Sequence, residues 1–326
     1  MDMSSQAAWL REQLRGTLLA AAATPMTASG EVDLDLMTAY FRSLLADGAD
    51  GLAVLAHTGR GPFLPPPVRS AVIERAVSLG VPVLVGVGGA LDEAQPSGVT
   101  VTLSTARPDD LAAAQGTSPG STERVVEEAR VAAGLGAVGV LVFPSAEDRV
   151  ALHDAVWRGA GLPMIAFDLY TLPCPPAVLE EIVRHPGVAG LKTALLSDAM
   201  GCQEAIRITR EAGRLAITGE DRMFGPSLLW GAEAALVGLA AARVDVTRDV
   251  MRAFAGNDLR EFERASALLD RLAAATFTAP MEGYVQRMLW LAAAEGRIPR
   301  SHAFDCYGPA MGEDERAREK AALAGV

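Results

Sequence analysis

The sequence predicts a (β/α)8 barrel, the TIM barrel, followed by a C-terminal helical extension. Eight short apolar segments have the pattern of buried strands, and each is followed by a segment with a helical pattern. Regular alternation of strand and helix indicates parallel strands with helical crossovers, and eight such units close into a barrel. The 326 residues suffice for a barrel and an extension. The predicted strands begin near residues 18, 51, 82, 138, 163, 188, 215 and 235.

An open doubly wound sheet is the alternative, but no predicted strand is followed by G-x-G-x-x-G. The turn Gly86–Gly89 is only a weak match to a phosphate-binding loop. Asp33 is the predicted N-cap of a helix that ends before Asp47, and prolines 65–67 precede a helix over 68–79. Further helices are predicted over about 122–135, 147–158, 175–184, 198–212 and 223–232.

The same pattern predicts the domain boundaries. Residues 1–243 form the barrel, and residues 244–326 have the apolar spacing of a helical bundle packed on it. The strand starts at 82 and 138 lie 56 residues apart, against about 20 to 33 elsewhere. Residues of about 90–120 are therefore an insert after the third strand, and we expect a lid or wall over the catalytic face. Their Ser, Pro, Gly and Asp content also fits a disordered surface loop.

Composition argues against several classes of partner. The net charge of -11 offers no positive surface to nucleic acid or acidic membranes. Cys174, Cys202 and Cys306 form neither a disulfide framework nor a CxxC pair, and the four histidines lack metal-ligand spacing. Residues 1–15 contain no apolar signal-peptide core, and no apolar run is long enough to span a membrane. We therefore expect a cytoplasmic protein that uses no metal.

One lysine lies in an unusual place. The chain has only two lysines, Lys192 and Lys320, and Lys320 belongs to a charged tail. Lys192 lies in the apolar segment Val188–Ala194, where burial lowers the pKa of an amine and makes the neutral form available. A neutral amine in an apolar pocket attacks carbonyl carbons and forms a Schiff base. The alternative is a lysine at a strand end whose ammonium group reaches water or a carboxylate.

Catalytic residues of a TIM barrel lie at the carboxyl ends of its strands, which favours the Schiff-base interpretation of Lys192. His57 suits acid–base catalysis near neutral pH, or it is simply held by a hydrogen bond. The hydroxyl of Thr58 and the backbone N–H groups of Thr58–Gly59 suit a substrate carboxylate. The other residues that this rule selects are Ser145, Phe167, Asp168, Tyr170, Gly219, Glu220, Asp221 and Arg243.

Several of these candidates also have a structural interpretation. Asp168 either caps a loop or is a partner for His57. Glu220 and Asp221 suit the N-terminus of the next helix, where carboxylates are favourable. Arg60 pairs with an anionic substrate or with a surface acid. Ser145 lacks a G-x-S-x-G elbow, so serine hydrolysis is not supported.

A series of short motifs also occurs in a recognisable order. They are Gly16–Leu18, Ala23–Met26, Gly30–Asp33, Gly48–Leu52, Thr58–Gly59, Gly136–Val142, Pro163–Asp168, Gly187–Lys192 and Thr218–Asp221. On these motifs the chain resembles, over roughly residues 16–300, the dihydrodipicolinate synthase/N-acetylneuraminate lyase family of class I aldolases. The resemblance implies a barrel with C-terminal helices, a homo-dimer or homo-tetramer, and a lysine, here Lys192, that condenses with a 2-oxo acid, usually pyruvate. The lysine imine then replaces any metal or nucleotide cofactor.

The chain departs from that family at several positions. Phe167 occupies the place of the tyrosine that shuttles protons in the family, and Tyr170 is a candidate substitute from the following loop. Leu172 falls near the place of an arginine that binds the carboxylate of the second substrate in the family's synthases. Ser145 and Ala146 replace a tyrosine-containing turn. His57 and Arg60 replace a threonine and a glutamate in the turn after the second strand.

The leading hypothesis is a Schiff-base carbon–carbon lyase or synthase, or a dehydratase, that acts on a 2-oxo acid such as pyruvate or a sugar-acid derivative. An aldehyde is a further candidate substrate. The departures argue against a true dihydrodipicolinate synthase. The catalytic candidates are Lys192, Tyr170 and His57, and the substrate-binding candidates are Thr58, Gly59, Phe167, Asp168, Ser145, Gly219 and Glu220. The alternative is a metabolite-binding or regulatory barrel that has lost the proton relay.

Overall fold

The predicted TIM barrel is confirmed by the computed structural model, which describes residues 2–89, 101–104 and 122–322. Eight parallel strands close into a barrel in the order β1-β10-β9-β8-β7-β6-β4-β3, and β2 pairs with β5 in a separate two-stranded sheet. The strands are β1 Leu18–Ala21, β2 Glu31–Val32, β3 Gly51–Val54, β4 Val83–Val87, β5 Thr102–Leu103, β6 Gly139–Val142, β7 Met164–Leu169, β8 Val188–Ala194, β9 Leu215–Thr218 and β10 Ala234–Val237. Each barrel strand begins within one residue of its predicted start.

Helices surround the barrel and continue after its last strand. They are α1 Ser5–Leu14, α2 Leu34–Ala46, α3 Pro66–Val77, α4 Thr122–Gly134, α5 Arg149–Ala160, α6 Pro176–Arg184, α7 Ala199–Glu211, α8 Phe224–Leu229, α9 Val244–Ala255, α10 Leu259–Thr276, α11 Tyr284–Ala294 and α12 Glu313–Ala322. The side chain of Asp33 accepts hydrogen bonds from the backbone N–H groups of Asp35 and Leu36, as an N-cap should. In the described part of the chain, no helix is both long and apolar enough to cross a membrane.

Alternating residues of the strands divide the core into two layers. One set faces into the barrel and forms an apolar cluster with Leu10 and Leu14 of α1, while the other set packs beneath the surrounding helices. The sequence reasoning did not predict α1. This helix leads into β1, and its Leu10 packs so closely on the start of β6 that a Cβ on Gly139 would lie 2.7 Å from Leu10 Cδ2. The helix therefore closes the amino-terminal end of the barrel, which leaves the other end for chemistry.

The helical extension returns to the carboxyl ends of the strands. Helices α9 and α10 pack on each other, and α11 packs against the 3₁₀ turn Gly238–Ala241 that follows β10. The 3₁₀ turn Met281–Gly283 leads directly into α11, so the start of α11 lies beside the barrel mouth. Of the expected insert at about 90–120, only residues 101–104 are among the described residues, and the lid prediction lies outside them.

Candidate active site

A β-bulge turns the lysine of β8 into the barrel. The register between β7 and β8 shifts because Met164 pairs with Val188 whereas Ile165 pairs with Gly190. Ala189 faces the interior and Leu191 faces the helices, so the next inward position falls on Lys192. In a regular strand, Ala189 and Lys192 would point to opposite faces, because side chains alternate. The bulge thus places the Lys192 amine inside the carboxyl end of the barrel.

The Lys192 side chain is buried, with 5% of its surface exposed. Its Nζ lies 4.3 Å from the centre of the Phe167 ring, and Phe167 is its partner in the register of β7 and β8. A Cβ on Gly219 would lie 2.3 Å from Lys192 Cε, so only glycine leaves room for the lysine side chain at this position. Burial lowers the pKa of Lys192 because the ammonium form loses its water, while the negative charges of Asp221 and Glu220 oppose the shift.

The two carboxylates after β9 hold neighbouring loops in place. Glu220 is fully buried and accepts hydrogen bonds of 2.8 Å from the N–H groups of Leu195 and Leu196, just after β8. Asp221 accepts one of 2.8 Å from the N–H of Leu239. Their interpretation as caps of the next helix is wrong, because α8 begins without a side-chain cap. Burial raises the pKa of both carboxyl groups, and the charge of Lys192 opposes this for Asp221.

The turn after β3 brings His57, Thr58 and Gly59 to the same end of the barrel. Gly59 has no space for a side chain, since a Cβ would lie 3.0 Å from the Ala22 carbonyl oxygen and 3.0 Å from the Leu55 nitrogen. The backbone at Leu55 has a φ of 56°, and Arg60 has a φ of 54°. Such left-handed conformations are uncommon for residues with a side chain and tend to occur at functional sites.

Two side chains of the extension meet this turn. The hydroxyl of Tyr284, the first residue of α11, lies 3.0 Å from Nδ1 of His57 and 3.1 Å from Oγ1 of Thr58. On its other side the Tyr284 ring stacks on Phe277 at a centroid distance of 4.5 Å. Glu282 Oε1 lies 3.4 Å from Nε2 of His57. Sequence reasoning missed both residues, because the helical spacing of the extension carries no sign of which residues reach the barrel.

Burial keeps the imidazole of His57 neutral. Burial lowers the pKa of His57 to about 4, and the charges of Arg60 and Lys192 add to the shift while Glu282 opposes it. Burial alone would raise the pKa of Glu282, but His57, Arg60 and the hydrogen bond from Tyr170 favour the carboxylate and lower the pKa to about 2. At neutral pH a neutral imidazole therefore lies between a tyrosine hydroxyl and a carboxylate.

Tyr170 reaches the same cluster from the loop after β7. Its hydroxyl donates a hydrogen bond to Glu282 Oε1, and its ring meets the His57 ring edge-on at a centroid distance of 6.0 Å. Burial and the charge of Glu282 raise the pKa of Tyr170. The structure thus brings Tyr170, His57 and Thr58 together with the two residues of the extension.

Asp168 and Ser145 form hydrogen bonds within their own loops rather than with the residues around His57. Asp168 accepts a hydrogen bond of 2.7 Å from the N–H of Cys174 and so fixes the loop after β7, which is the loop-cap interpretation rather than a pairing with His57. Burial raises the pKa of Asp168 to about 6. The hydroxyl of Ser145 accepts a hydrogen bond from the N–H of Glu147, within its own turn. No hydrogen bond in the described structure joins either side chain to the cluster around His57.

Arg60 ties the turn after β3 to the extension. Its Nη2 lies 2.8 Å from Asp305 Oδ2, its Nη1 lies 2.7 Å from Glu282 Oε2, and its Nη2 also donates to the Glu282 backbone oxygen. The side chains of Arg60 and Asp305 are 4% and 0% exposed. Arg60 therefore pairs with the buried side chain of Asp305 and with the partly buried side chain of Glu282. Sequence reasoning also did not predict a role for Asp305.

We expect Asp305→Asn to lower the free energy of unfolding by roughly 3 kcal/mol, the low end of the range for removing one partner of a buried ion pair. The low end applies because Glu282 still faces Arg60. Chemical denaturation measures the loss. The control is Asp249→Asn, whose partner Arg252 is 73% exposed, and its expected cost is under about 1 kcal/mol. An equal loss of unfolding free energy in the two variants would contradict a stabilising role for the Arg60–Asp305 pair.

Comparisons with known proteins agree with this architecture. The sequence profile of the dihydrodipicolinate synthetase family matches residues 14–104. A 4-hydroxy-tetrahydrodipicolinate synthase of Synechococcus sp. is 30% identical over 246 residues, which cover 70% of this chain and 69% of the relative.

Two solved structures show the same fold at low identity. A dihydrodipicolinate synthase from Acinetobacter baumannii, solved in complex with pyruvate, has a TM-score of 0.76 and 17% identity, with 95% of this chain and 98% of that chain covered. An N-acetylneuraminate lyase from Mycoplasma synoviae has a TM-score of 0.72 and 13% identity, with 96% and 98% covered. The profile match and the Synechococcus relative extend this likeness from fold to sequence. The chain belongs to the dihydrodipicolinate synthase/N-acetylneuraminate lyase family.

Proposed function

We propose that this chain is a class I lyase or synthase that makes or breaks a carbon–carbon bond, or a dehydratase, through an imine between Lys192 and a 2-oxo acid. The observation that carries the proposal is the buried Lys192 amine at the catalytic end of the barrel. Burial favours its neutral, nucleophilic form. Phe167 and Gly219 provide the apolar and uncrowded surroundings that the amine needs.

In the proposed mechanism the neutral Lys192 amine attacks the keto carbon of a 2-oxo acid such as pyruvate, and water leaves. The protonated imine then accepts electrons from the adjacent bond, which allows cleavage or enamine addition. Thr58 and the N–H groups of its turn are the proposed site for the substrate carboxylate. The imine provides the electron sink, so the proposed reaction requires no metal or nucleotide.

The oligomeric state is a separate prediction. We expect a homo-dimer or homo-tetramer, and light scattering of the purified protein tests it.

The presence of only two lysines makes the central test specific. We expect pyruvate, or another 2-oxo acid from a small panel, to label the Lys192 peptide when borohydride reduces the imine. Lys192→Met removes the amine at nearly constant shape, so it should abolish labelling. Lys320→Arg removes the exposed lysine of α12 and should leave labelling unchanged. Mass spectrometry locates the adduct. If none of these acids labels Lys192, the chain is better described as a non-catalytic metabolite-binding or regulatory barrel.

The lowered pKa of Lys192 predicts a pH dependence. Imine formation needs the neutral amine, so its rate should fall as the pH drops through the lowered pKa and the ammonium form accumulates. Asp221 stabilises the ammonium form, so Asp221→Asn should move the acidic limb of the profile to lower pH. The control Asp198→Asn, at the exposed N-cap of α7, should not move it. A shift to higher pH in Asp221→Asn would show that Asp221 does not act on Lys192 in this way.

We also propose that the chain is not a dihydrodipicolinate synthase. Phe167 lacks a hydroxyl, and Leu172, which is 36% exposed, offers only hydrocarbon where the carboxylate of aspartate semialdehyde needs a cation. Arg60 is held by Asp305 and Glu282, and Arg243 pairs with Asp245 and Glu295. The arginine that contacts the Leu172 backbone is Arg149. Its Nε and Nη2 donate to backbone carbonyls, and its Nη1 is buried without a hydrogen-bond partner.

An assay with pyruvate and aspartate semialdehyde, followed by mass spectrometry of the product, tests this proposal. We expect turnover far below the ordinary enzyme range of about 1–10³ per second. A dihydrodipicolinate synthase assayed in parallel is the positive control. Turnover by this chain within that range would contradict the assignment and would mean that another cation receives the semialdehyde carboxylate.

A further inference from the structure

Imine chemistry needs a group that moves protons, and the residue beside Lys192 cannot provide it. Conversion of an imine to an enamine removes a proton from the carbon next to the former carbonyl, and a positioned acid–base group typically accelerates such a transfer about 10²–10⁴-fold. Phe167 lies within 4.3 Å of the lysine nitrogen but has no titratable atom. The proton must therefore leave through a different residue of the barrel mouth.

Three side chains form a continuous row of polar contacts at the mouth, with one hydrogen bond and one ion-pair contact. Tyr284 Oη lies 3.0 Å from Nδ1 of His57, and Nε2 of the same ring lies 3.4 Å from Glu282 Oε1. Since the imidazole is neutral and Nε2 faces a carboxylate, Nε2 carries the hydrogen. Nδ1 is then an acceptor, and the Tyr284 hydroxyl donates to it. A hydroxyl, a base and an acid that orients the base are the usual parts of an activated side chain.

Lys192 lies within electrostatic range of these side chains. The charge of Lys192 acts on His57, and the charge of Asp221 acts on both Lys192 and Tyr284. Tyr284 Oη also lies 3.1 Å from Oγ1 of Thr58, the residue proposed to bind the substrate carboxylate. We therefore expect a 2-oxo acid that is bound by Thr58 and joined to Lys192 to have its reacting carbon near the Tyr284 hydroxyl.

We propose that Tyr284, coupled to His57 and Glu282, is the proton-transfer group of this active site and takes the role that Phe167 cannot fill. The inference rests on the proposed imine at Lys192. Tyr284 is the catalytic residue, while His57 accepts its proton and Glu282 positions His57. Tyr170 is not the proton-transfer group. Its hydroxyl donates a hydrogen bond to the Glu282 carboxylate, which keeps the Tyr170 proton directed at Glu282.

Two protons move in the proposed step. The C3 proton of the protonated imine passes to Tyr284 Oη while the Tyr284 hydroxyl proton passes to His57 Nδ1. The electron pair of the C–H bond forms the enamine double bond, and the C=N π electrons neutralise the imine nitrogen. The products are a neutral enamine and an imidazolium ion, which the Glu282 carboxylate stabilises. The reverse transfer returns a proton to carbon when the enamine is consumed.

Exchange of the C3 hydrogens of pyruvate with D₂O, followed by NMR, measures this step without a second substrate. Borohydride trapping of pyruvate measures imine formation separately. Tyr284→Phe keeps the ring that stacks on Phe277 and removes only the hydroxyl. We expect Tyr284→Phe to trap pyruvate at a rate within a few-fold of that of the unaltered chain. We expect its rate of C3 hydrogen exchange to be about 10²–10⁴-fold lower. The control Tyr40→Phe removes another buried hydroxyl, one whose hydrogen bonds join it to the Ala241 carbonyl and the Ala23 N–H rather than to His57 or Thr58, and should leave exchange unchanged.

The outcomes separate this inference from the proposed function. If the unaltered chain traps neither pyruvate nor any other 2-oxo acid of the panel, the imine itself is absent and both proposals fail. If it traps another acid of the panel in place of pyruvate, C3 exchange is followed on that acid. If trapping occurs and Tyr284→Phe exchanges at the unaltered rate, only the role of Tyr284 is overturned. A Tyr284→Phe variant that folds but no longer traps pyruvate also overturns the role assigned here. Glu282→Gln should slow exchange as well, because an uncharged partner stabilises imidazolium less.

Discussion

The pairing of Arg60 with Asp305 and Glu282 joins the barrel to its helical extension at the catalytic end. Arg60 belongs to the turn after β3, whereas both acids belong to the segment that flanks α11. A buried guanidinium ion is costly unless acceptors pair with it, and two carboxylates pair with Arg60, so the turn and the extension hold each other in one arrangement. That arrangement brings Tyr284 and Glu282 within reach of His57, and the geometry of the mouth depends on it.

Opposing electrostatic effects set the state of the lysine. Burial and the apolar ring of Phe167 remove water from the amine, whereas Asp221 and Glu220 supply negative charge from the adjacent loop. The two carboxylates are themselves fixed by backbone N–H groups, so they favour the ammonium form without forming a hydrogen bond that would block the amine. In the proposed mechanism, an amine in this balance can lose its proton for attack, and the same carboxylates then stabilise the protonated imine.

The sequence predicted the barrel well because strand and helix alternate in a chain whose strands are short and apolar. It also drew attention to Lys192, because a lysine in an apolar strand is costly to bury and therefore unusual there. The β-bulge at Ala189 could not be predicted, although it decides which way Lys192 points, because strand alternation alone does not reveal an extra residue. Tyr284, Glu282 and Asp305 were missed for another reason. They lie more than 200 residues from the turn they contact, and only tertiary packing brings them there.

A crystal structure of the protein soaked with pyruvate tests the central claim most directly. The account predicts continuous electron density from Lys192 Nζ to the C2 atom of pyruvate, with the carboxylate on the Thr58–Gly59 turn. It also predicts that Tyr284 Oη lies about 3–3.5 Å from C3, the distance of a reactive arrangement. Pyruvate bound without a bond to Lys192, or an imine whose C3 points away from Tyr284, would contradict it.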